Sequence, residues 1–310
     1  MIAFGPVPSR RLGCSLGINH IQPKHCTYSC VYCQVGRTRI PEITRQEFFP
    51  IDQIIQAVEK KIYESTLIGQ KIDYLTLVPD GEPTLDIHLG ELINRLSNFN
   101  LPVAVISNAS LLNRREVQTA LLGTDWVSVK IDSVVDTDWK AINRPHNRLS
   151  LSSILAGIHE FRKRYQGELV TETMLVSGIN DHEDGIYRLA AYLKELQPNK
   201  SYVSIPTRPP AETWVTCPKP DTLQKVLQIL SESIASLDVL FEAEADDFIS
   251  TGDLVMDILG ITAVHPIREE ALRRIIEQAE ARWEVVDELV KSNQLVCIAY
   301  RNENFYQRKF

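Results

Sequence analysis

Three cysteines, Cys26, Cys30 and Cys33, lie within eight residues and are spaced Cys-x3-Cys-x2-Cys. Thiolates are soft, charged ligands, and three of them so close in sequence can converge on one iron–sulfur cluster. A four-iron cluster has one more iron than this loop has cysteines, so one iron would keep an open coordination position. An open position is what a metal centre needs to hold a substrate or cofactor directly. The spacing therefore predicts a catalytic cluster rather than a closed structural site.

A zinc site and a disulfide pair are the alternatives for the same cysteines. Structural zinc sites usually close with four ligands, often as two Cys-x2-Cys pairs, and this sequence has no second pair. The segment Met1–Pro6 has neither the charged nor the apolar region of a signal peptide, and no apolar run is long enough to span a bilayer. We therefore expect a cytoplasmic protein without membrane contact, whose thiols stay reduced.

The cysteine spacing resembles the signature of the radical S-adenosylmethionine (SAM) enzymes. The flanking segments Gly5–Gly13 and Cys33–Thr38 resemble a largely uncharacterised branch related to the tRNA wyosine-base synthases. The resemblance implies a [4Fe–4S] cluster on Cys26, Cys30 and Cys33, with SAM chelated at the fourth iron. An electron donor such as flavodoxin or ferredoxin would allow cleavage of SAM to a 5′-deoxyadenosyl radical. That radical would abstract hydrogen from a substrate.

The same resemblance leaves two substrate classes open, a tRNA base and a peptide or protein. Wyosine synthases carry several further N-terminal cysteines, whereas here Cys14 alone precedes the motif. This difference counts against wyosine synthesis itself.

The segment Asp80-Gly81-Glu82-Pro83 is similar to the family's Gly-Gly-Glu-Pro motif, which holds the amino group of SAM. Asp80 replaces the first glycine of that motif. Gly81 would allow a close backbone approach and a sharp turn, and Glu82 would accept hydrogen bonds from an ammonium group. An ordinary turn could have the same sequence, but its distance from the cysteine loop favours cofactor binding by Gly81, Glu82 and Pro83.

Polar residues also follow the next two predicted strands. Asn108 ends the third strand, and Lys130 and Asp132 end the fourth, two residues apart and so on one face. The resemblance implies that they bind the ribose and carboxylate of SAM, with Asp132 accepting from hydroxyls and Lys130 pairing with a carboxylate. The alternative is a solvated strand end.

Four residues are candidates for work on the substrate. Arg144 and Arg208 could anchor a carboxylate or phosphate, and His146 could donate or accept a proton. Cys14, upstream of the cluster loop, could be a radical-quenching thiol. Polar residues also collect in loops by default, and isolated cysteines such as Cys217 and Cys297 are commonly small buried hydrophobes.

Charge is unevenly distributed along a chain whose formal net charge is −7. Residues 1–39 contain five basic residues and no acidic one. The basic side chains could offset the negative charge of the cluster, or they could attract an anionic substrate. Both interpretations stay open.

Hydrophobic patterning predicts six strands, each followed by a helix. The strands begin near residues 15, 74, 103, 126, 169 and 202. Regular alternation of this kind demands a parallel sheet covered by helices. The pattern alone does not separate a partial barrel from a doubly wound open sheet, and the family resemblance implies a partial (β/α)6 TIM-like barrel over residues 1–244. In both folds ligands bind at the carboxyl ends of the strands.

Residues 245–310 are predicted to form a small winged-helix-like domain, with helices followed by a terminal hairpin. From Phe241 to Phe310 there are eight basic residues against fourteen acidic ones. Because a duplex binder needs a basic face, DNA is not expected as a partner, and a lid or protein-contact role is favoured. A non-catalytic iron–sulfur or metal-binding regulator is the alternative function, although a regulator has no need of a SAM site.

Overall fold

A computed structural model describes residues 2–241, 253–264 and 266–309 of the chain. Its larger sheet has eight strands that lie side by side in sequence order. They are β1 (Ala3–Ser9), β2 (Gly13–Ile18), β3 (Tyr74–Leu77), β4 (Val103–Ser107), β5 (Trp126–Lys130), β6 (Glu168–Met174), β7 (Lys200–Ser204) and β8 (Leu237–Leu240). β1 pairs antiparallel with β2, and all later neighbours pair in parallel. The carboxyl ends of β2 to β8 therefore meet at one end of the sheet.

Helices make the crossovers between the parallel strands, as the alternating pattern predicts. They are α1 (Ile51–Leu67), α2 (Leu89–Leu96), α3 (Arg115–Leu121), α4 (Asp136–Asn143), α5 (Leu151–Arg164), α6 (Glu183–Leu196) and α7 (Pro220–Ser233). In α1 the buried residues Ile54, Ile55 and Val58 recur at helical spacing. This apolar stripe packs in the same core as the strand residue Leu75.

The inner face of the sheet has a core of its own, which settles the choice between a barrel and an open sheet. Leu12, Ala104, Trp126, Val170, Tyr202 and Leu240 pack in one cluster, although they come from the β1–β2 turn and from β4 to β8. Side chains from so many adjacent strands can meet only if the sheet curves around them. The predicted α/β fold of the partial-barrel type is confirmed.

Three elements of the barrel were not predicted. β1 contains Pro6 and Pro8, which disfavour an inner strand but are tolerated at a sheet edge. β8 is four residues long and has two exposed residues, Asp238 and Val239, so it has no buried apolar run. α4 was missed because its eight residues are mostly polar.

The C-terminal residues form three helices and a second, three-stranded sheet. These elements are α8 (Leu254–Val264), β9 (Ile267–Arg268), α9 (Glu269–Gln278), α10 (Glu284–Lys291), β10 (Leu295–Tyr300) and β11 (Glu303–Arg308). The strand order is β10-β11-β9, with both pairs antiparallel. The predicted domain boundary between residues 244 and 245 lies outside the described residues.

The C-terminal elements pack directly on the barrel. Phe4 and Val7 of β1 lie in one hydrophobic cluster with Ile258 of α8. The ammonium of Lys61 on α1 also lies 3.0 Å from the Asp257 carboxylate on α8, and both side chains are buried. Within the described ranges, no helix has the length and hydrophobicity needed to cross a lipid bilayer.

Candidate functional site

The cysteine loop follows β2 and is held in place by backbone hydrogen bonds to the end of α4. Ser29 N donates to Asn143 O at 3.0 Å, and Val31 N donates to Ile142 O at 2.9 Å. Thr27 O accepts from the backbone of His146 at 2.9 Å. The loop backbone is therefore fixed at the carboxyl end of the barrel, where the sequence predicts ligand binding.

Two asparagine side chains point their N–H groups at the cysteine sulfurs. Asn108 Nδ2 lies 3.5 Å from Cys26 Sγ, and Asn143 Nδ2 lies 3.4 Å from Cys30 Sγ. Donors of this kind stabilise negative charge on sulfur and tune the potential of an iron–sulfur cluster. Asn108 was predicted to contact SAM, and the contact that the structure shows is with a cysteine sulfur.

The Cys26 and Cys30 thiols are half-buried, and removal from water makes them poor free thiolates. Burial, with the Glu82 carboxylate as the second cause, raises the pKa of Cys26 to about 12. Burial also raises the pKa of Cys30 well above its usual value, and the Asp132 carboxylate adds to this. Since iron binds the thiolate form, loading of a cluster must release these protons.

The three thiols of the cysteine loop match the protein donors of a four-iron cluster that keeps one open iron, because a cubane cluster gives each cysteine its own iron. Across the described part of the chain, no group of three or more Cys, His, Asp or Glu side chains is placed to hold a single metal ion. The three-thiol donor set with amide donors on its sulfurs therefore suits a [4Fe–4S] cluster.

Gly81 lets the cysteine loop lie directly on the turn after β3. A Cβ atom at this position would lie 2.0 Å from the carbonyl oxygen of His25, the residue before Cys26. The neighbouring Glu82 N donates to the same His25 oxygen at 2.9 Å. The close approach is possible only because residue 81 has no side chain.

Glu82 is buried and its carboxylate is held by four donors from the protein. Oε1 accepts from Thr84 N at 3.1 Å, from Thr84 Oγ1 at 2.6 Å and from Ser107 Oγ at 2.7 Å. Oε2 accepts from Asn108 N at 2.8 Å. Because each carboxylate oxygen has two lone pairs, Oε2 keeps capacity for one more donor. Burial raises the pKa of Glu82, and these hydrogen bonds oppose that shift.

Asp80, the residue that departs from the family motif, supplies a further buried carboxyl group. Its Oδ2 accepts from Asn19 Nδ2 at 2.7 Å, while Oδ1 has no hydrogen-bond partner among the described residues. Burial raises the pKa of Asp80 to about 6. The Lys24 ammonium is also buried without a hydrogen-bond partner in the described chain. Burial lowers the pKa of Lys24 below its usual value, and the negative charges of Cys33, Asp80 and Cys26 oppose that shift.

The buried carboxyl group of Asp80 and the buried ammonium of Lys24 allow a test of whether SAM fits the site. The methionine part of SAM carries an ammonium and a carboxylate. A buried acceptor on Asp80 and a buried donor on Lys24 are complementary to those two charges. Lys24 was not predicted from the sequence as a ligand, although it lies in the basic N-terminal stretch.

Lys130 forms an ion pair with a carboxylate inside the barrel. Its Nζ lies 2.8 Å from Glu172 Oε1, and Arg11 binds the other oxygen of the same carboxylate. Burial alone would raise the pKa of Glu172, but Lys130 and Arg11 outweigh it and bring the pKa to about 2. Glu172 was missed from the sequence, because its neighbours Thr171 and Thr173 give β6 no continuous apolar run to mark it as buried.

Asp132 lies just beyond the end of β5 and connects the cysteine loop to the barrel. Its carboxylate accepts from Tyr32 Oη at 2.5 Å, from Asn143 Nδ2 at 2.6 Å and from Met174 N at 2.9 Å. Asn143 is the donor to Cys30. Asp132 therefore orients the loop, and Lys130 and Asp132 have different partners despite their spacing.

Arg144, just after α4, forms an ion pair with the carboxylate of Glu212. Glu212 is buried, and its two carboxylate oxygens accept from Arg144 and from Arg37. The Arg37 hydrogen bond lowers the pKa of Glu212 against the effect of burial. His146 Nδ1 accepts from Arg148 N at 3.1 Å. Glu212 gave no signal in the sequence, since its partners lie far away along the chain.

The cysteines outside the motif lie elsewhere. Cys14 lies near the amino end of β2, opposite to the cluster loop, and its backbone N donates to Asp73 Oδ2 at 2.8 Å. Burial raises the pKa of this thiol. Cys217 is half-buried beside Arg301. Cys297 is exposed, so the prediction that it is buried is wrong: in β10 Leu295 alone is buried, and the residues on either side of Cys297 are exposed or half-buried.

A cavity of about 210 Å³ lies inside the curved sheet. It is lined by residues of β1 to β4 and β6 to β8, by the turn between β1 and β2, and by Gln34 beside Cys33. Arg208 lines it as well, at the rim after β7. Of the four predicted substrate residues, Arg208 lines this cavity, and His146 lines a separate, more open pocket with Arg148 and residues 41–44.

Comparison with known proteins shows relatives along nearly the whole chain. A UPF0026 protein of Methanocaldococcus jannaschii is 45% identical over 309 residues, which are 99% of this chain and 96% of the relative. A UPF0026 protein of Helicobacter pylori is 32% identical over 282 residues, which are 89% of this chain and 88% of the relative.

Solved structures share the fold at low sequence identity. A radical SAM methyltransferase from Sphaerobacter thermophilus aligns with a TM-score of 0.56 at 15% identity, covering 75% of this chain and 68% of that one. The structure of TYW1 with a bound lysine-pyruvate adduct aligns with a TM-score of 0.52 at 16% identity, covering 71% of this chain and 74% of that one.

The model of the radical SAM superfamily matches residues 23–190. This range contains Cys26, Cys30 and Cys33, the Gly81–Glu82 turn and the Asn108 donor, so the match falls on the site described above. Enzymes of this superfamily bind a [4Fe–4S] cluster and SAM, the two cofactors that the donor set fits. From the matched residues and the full-length relatives, the chain belongs to the UPF0026 family within the radical SAM superfamily of enzymes.

Proposed function

We propose that this enzyme cleaves SAM at a [4Fe–4S] cluster held by Cys26, Cys30 and Cys33 and uses the product radical on a substrate in the barrel. The observation that carries the proposal is the contact of the cysteine loop with the Gly81–Glu82 turn at the carboxyl end of β3. When bound, the two cofactors supply a 5′-deoxyadenosyl radical that abstracts hydrogen.

The chain's own residues bind and orient the cofactors. Gly81, Glu82 and Pro83 form the turn that receives the SAM amino group, with the remaining capacity of Glu82 Oε2 and the Asp80 carboxylate as acceptors. Lys24 neutralises the SAM carboxylate. Asn108 links both cofactor sites, because its backbone donates to Glu82 and its side chain donates to Cys26.

Lys130 and Asp132 act as positioning residues in this scheme. Lys130 holds Glu172, which in turn holds Arg11 in the barrel. Asp132 orients Asn143 and Tyr32 next to Cys30. Direct contact of Asp132 with the ribose of SAM and of Lys130 with its carboxylate stays part of the proposal, since both residues lie at the carboxyl end of β5.

An external donor must deliver one electron to the site, and a flavodoxin or ferredoxin suits this role. The basic residues Arg37 and Arg39 are exposed just after the cysteine loop in an otherwise acidic chain. An acidic redox partner would be attracted to this surface, and salt would screen the attraction. Localisation in the cytoplasm, where such donors and reduced thiols are found, is likewise proposed.

The substrate classes predicted from the sequence are a tRNA base and a peptide or protein. The fold shared with TYW1 supports the first class only as a likeness of fold. The excess of acidic residues after Phe241 opposes it, because tRNA binding needs a basic surface. Residues 245–310, proposed as a winged-helix-like domain, would then serve as a lid or a protein contact.

The test uses the anaerobically reconstituted enzyme with dithionite and SAM, and measures iron per chain and 5′-deoxyadenosine. We expect Cys30→Ala to lose most of the iron and all SAM cleavage. The matched control is Cys297→Ala, which removes an exposed thiol outside the motif and should behave as the wild type. SAM cleavage that survives Cys30→Ala would refute the assignment, and so would a fully loaded wild type that consumes no SAM.

A further inference from the structure

The loop between β7 and α7 contains a buried carboxylate that is bound by two other segments of the chain. Glu212 in this β7–α7 loop is 4% exposed. Its Oε1 accepts from Arg144, just after α4, and its Oε2 accepts from Arg37, just after the cysteine loop. Glutamate is almost never buried this far unless it is paired. The burial of Glu212 therefore requires the three segments to meet.

The backbone of the same residue binds the cysteine loop directly. Glu212 N donates to Val31 O at 3.0 Å, and Val31 lies between Cys30 and Cys33. Glu212 O accepts from Val215 N at 3.1 Å, which closes a turn within the β7–α7 loop. Glu212 is thus hydrogen-bonded to the cysteine loop and its flank at two points, one through the backbone and one through the side chain.

Apolar packing holds the two loops together beside these hydrogen bonds. Val31 and Val215 are both buried, and they lie in one cluster with Ile142, Met174 and Val176. Burial of apolar side chains stabilises this contact independently of the charge at position 212. A substitution that removes only the charge of Glu212 should therefore leave the β7–α7 loop folded.

The two halves of the cysteine loop are bound by different parts of the barrel end. The half that begins at Cys26 contacts the Gly81 turn after β3. The half that follows Cys30 contacts Glu212, at the two points described above. Residues that orient metal ligands from outside are commonly needed for full metal affinity. Three thiols on one cluster need both halves of the loop in place.

We propose that Glu212 is a positioning residue, which fixes the second half of the cysteine loop through Val31, Arg37 and Arg144. The inference rests on the proposed function, because it concerns the cluster that this function assigns to the loop. Arg37 and Arg144 belong to different segments and share one carboxylate, so Glu212 keeps the end of the cysteine loop next to the end of α4. Arg144 then serves the loop rather than a substrate anion.

The test uses Glu212→Gln, which keeps the size of the side chain and removes its charge. Iron release to a chelator and the EPR spectrum of the dithionite-reduced cluster are measured on anaerobically reconstituted enzyme. The matched control is Glu183→Gln, because Glu183 accepts from Lys225 in an exposed ion pair on α6. A second control, Val226→Ala, truncates a buried residue of α7 and so lowers stability without touching the cysteine loop.

We expect Glu212→Gln to release iron about 10–100-fold faster than the wild type, and Glu183→Gln to release it at the wild-type rate. The clusters that remain in Glu212→Gln should show an altered EPR spectrum, because a shifted loop changes the surroundings of the sulfurs. Wild-type iron release or a wild-type spectrum in this variant would overturn the proposal. So would equally fast release from Val226→Ala, since the effect would then follow from lost stability alone.

The variant Arg37→Gln tests the route by which Glu212 acts. If the two residues hold the loop as a pair, the double variant should release iron more slowly than the product of the two single effects predicts. Effects that simply multiply would mean that Arg37 and Glu212 act independently, which contradicts the proposed route.

SAM cleavage with dithionite is measured on the same samples. A wild type that cleaves SAM, together with a Glu212→Gln variant that behaves like Glu183→Gln, would refute the positioning role and leave the proposed function intact. Faster iron release and an altered spectrum in Glu212→Gln, in an enzyme whose wild type cleaves no SAM, would refute the proposed function instead.

Discussion

At the scale of single residues, the site depends on the lack of a side chain at Gly81 as well as on its three cysteines. The three thiols are carried by one loop, and that loop is positioned by a contact between the His25 carbonyl and the turn at Gly81. Glu82 N donates to the same carbonyl, so the two segments share a backbone hydrogen bond. Glycine at position 81 is therefore a steric requirement of cluster placement.

We predict that Gly81→Ala prevents normal cluster loading. The added Cβ would lie 2.0 Å from His25 O, and since both partners are backbone the loop must shift. Overpacking of this kind costs about 1–3 kcal/mol and would separate the cysteine loop from Glu82. Iron per chain and the melting temperature measure the effect. Gly123→Ala is the control, because its nearest contacts would be an ordinary 3.4 Å; wild-type iron content in Gly81→Ala would contradict the prediction.

The site residues that could be predicted are those whose role can be recognised from a short local motif. Cys26, Cys30 and Cys33 have a spacing that can be recognised, and Gly81 and Glu82 lie at a strand end. The partners of the charged residues were not predictable, because Arg11 and Glu172 are 161 residues apart and Arg37 and Glu212 are 175 apart. Only the folded chain brings such pairs together.

At the scale of elements, β6 joins the N-terminal hairpin to the cofactor end of the barrel. Glu172 on this strand receives Lys130 from β5 and Arg11 from the β1–β2 turn. All three side chains are at most 18% exposed, so the ions are largely removed from water. Two buried cations on one carboxylate make that carboxylate indispensable, because its removal leaves two like charges facing each other.

We predict that Glu172→Gln destabilises the protein by about 3–5 kcal/mol at pH 7, because it leaves two buried cations facing a neutral amide. Glu168→Gln on the same strand is the control, since Glu168 is exposed. The pKa of Glu172 falls from 4.5 to about 2 on folding. A lowered carboxyl pKa gives stability that is present above pH ~4.5 and is lost as the pH falls toward 2.

The difference in free energy of unfolding between wild type and Glu172→Gln should therefore narrow below pH ~4.5, while that for Glu168→Gln should remain near zero throughout. Urea unfolding at pH 7 and at pH 3.5 measures both quantities. A cost below about 1 kcal/mol at pH 7 would contradict the buried ion network.

Elements with strong apolar periodicity were predicted, and those whose existence depends on their neighbours were not. α1 and β4 bury continuous or periodic apolar residues, which the sequence displays. β1, with Pro6 and Pro8, is a strand because it can pair at the sheet edge and because Phe4 finds a covering surface on Gly17. β8 likewise needs β7 to pair with, so its four residues carry no signal of their own.

At the scale of the whole molecule, the C-terminal elements share a hydrophobic core with the edge of the barrel. The hydrophobic cluster that contains α8 and α9 also contains Phe4 and Val7 of β1, so part of the barrel edge is covered by residues near the other end of the chain. The hairpin of β10 and β11 then crosses to the rim at Pro206 and Gln34. The sequence predicts a separate module at residues 245–310, but a shared core of this kind couples its stability to that of the barrel.

We predict that Ile258→Ala on α8 lowers the stability of the C-terminal elements and of the barrel together. Ile258 is completely buried in the cluster shared with Phe4 and Val7, and truncation of a buried isoleucine costs about 2–5 kcal/mol. Hydrogen exchange in urea, followed in peptides from α9 and from β5, measures the two parts separately. The urea midpoints of exchange in both sets of peptides should fall by the same amount, whereas Val255→Ala, at a residue 38% exposed on the same helix, should leave both midpoints unchanged.

If the α9 peptides lose protection while the β5 peptides keep the wild-type midpoint, the two parts unfold independently. Residues 245–310 would then be a self-contained domain, and the hairpin over the rim could open without disturbing the barrel that holds the cysteine loop.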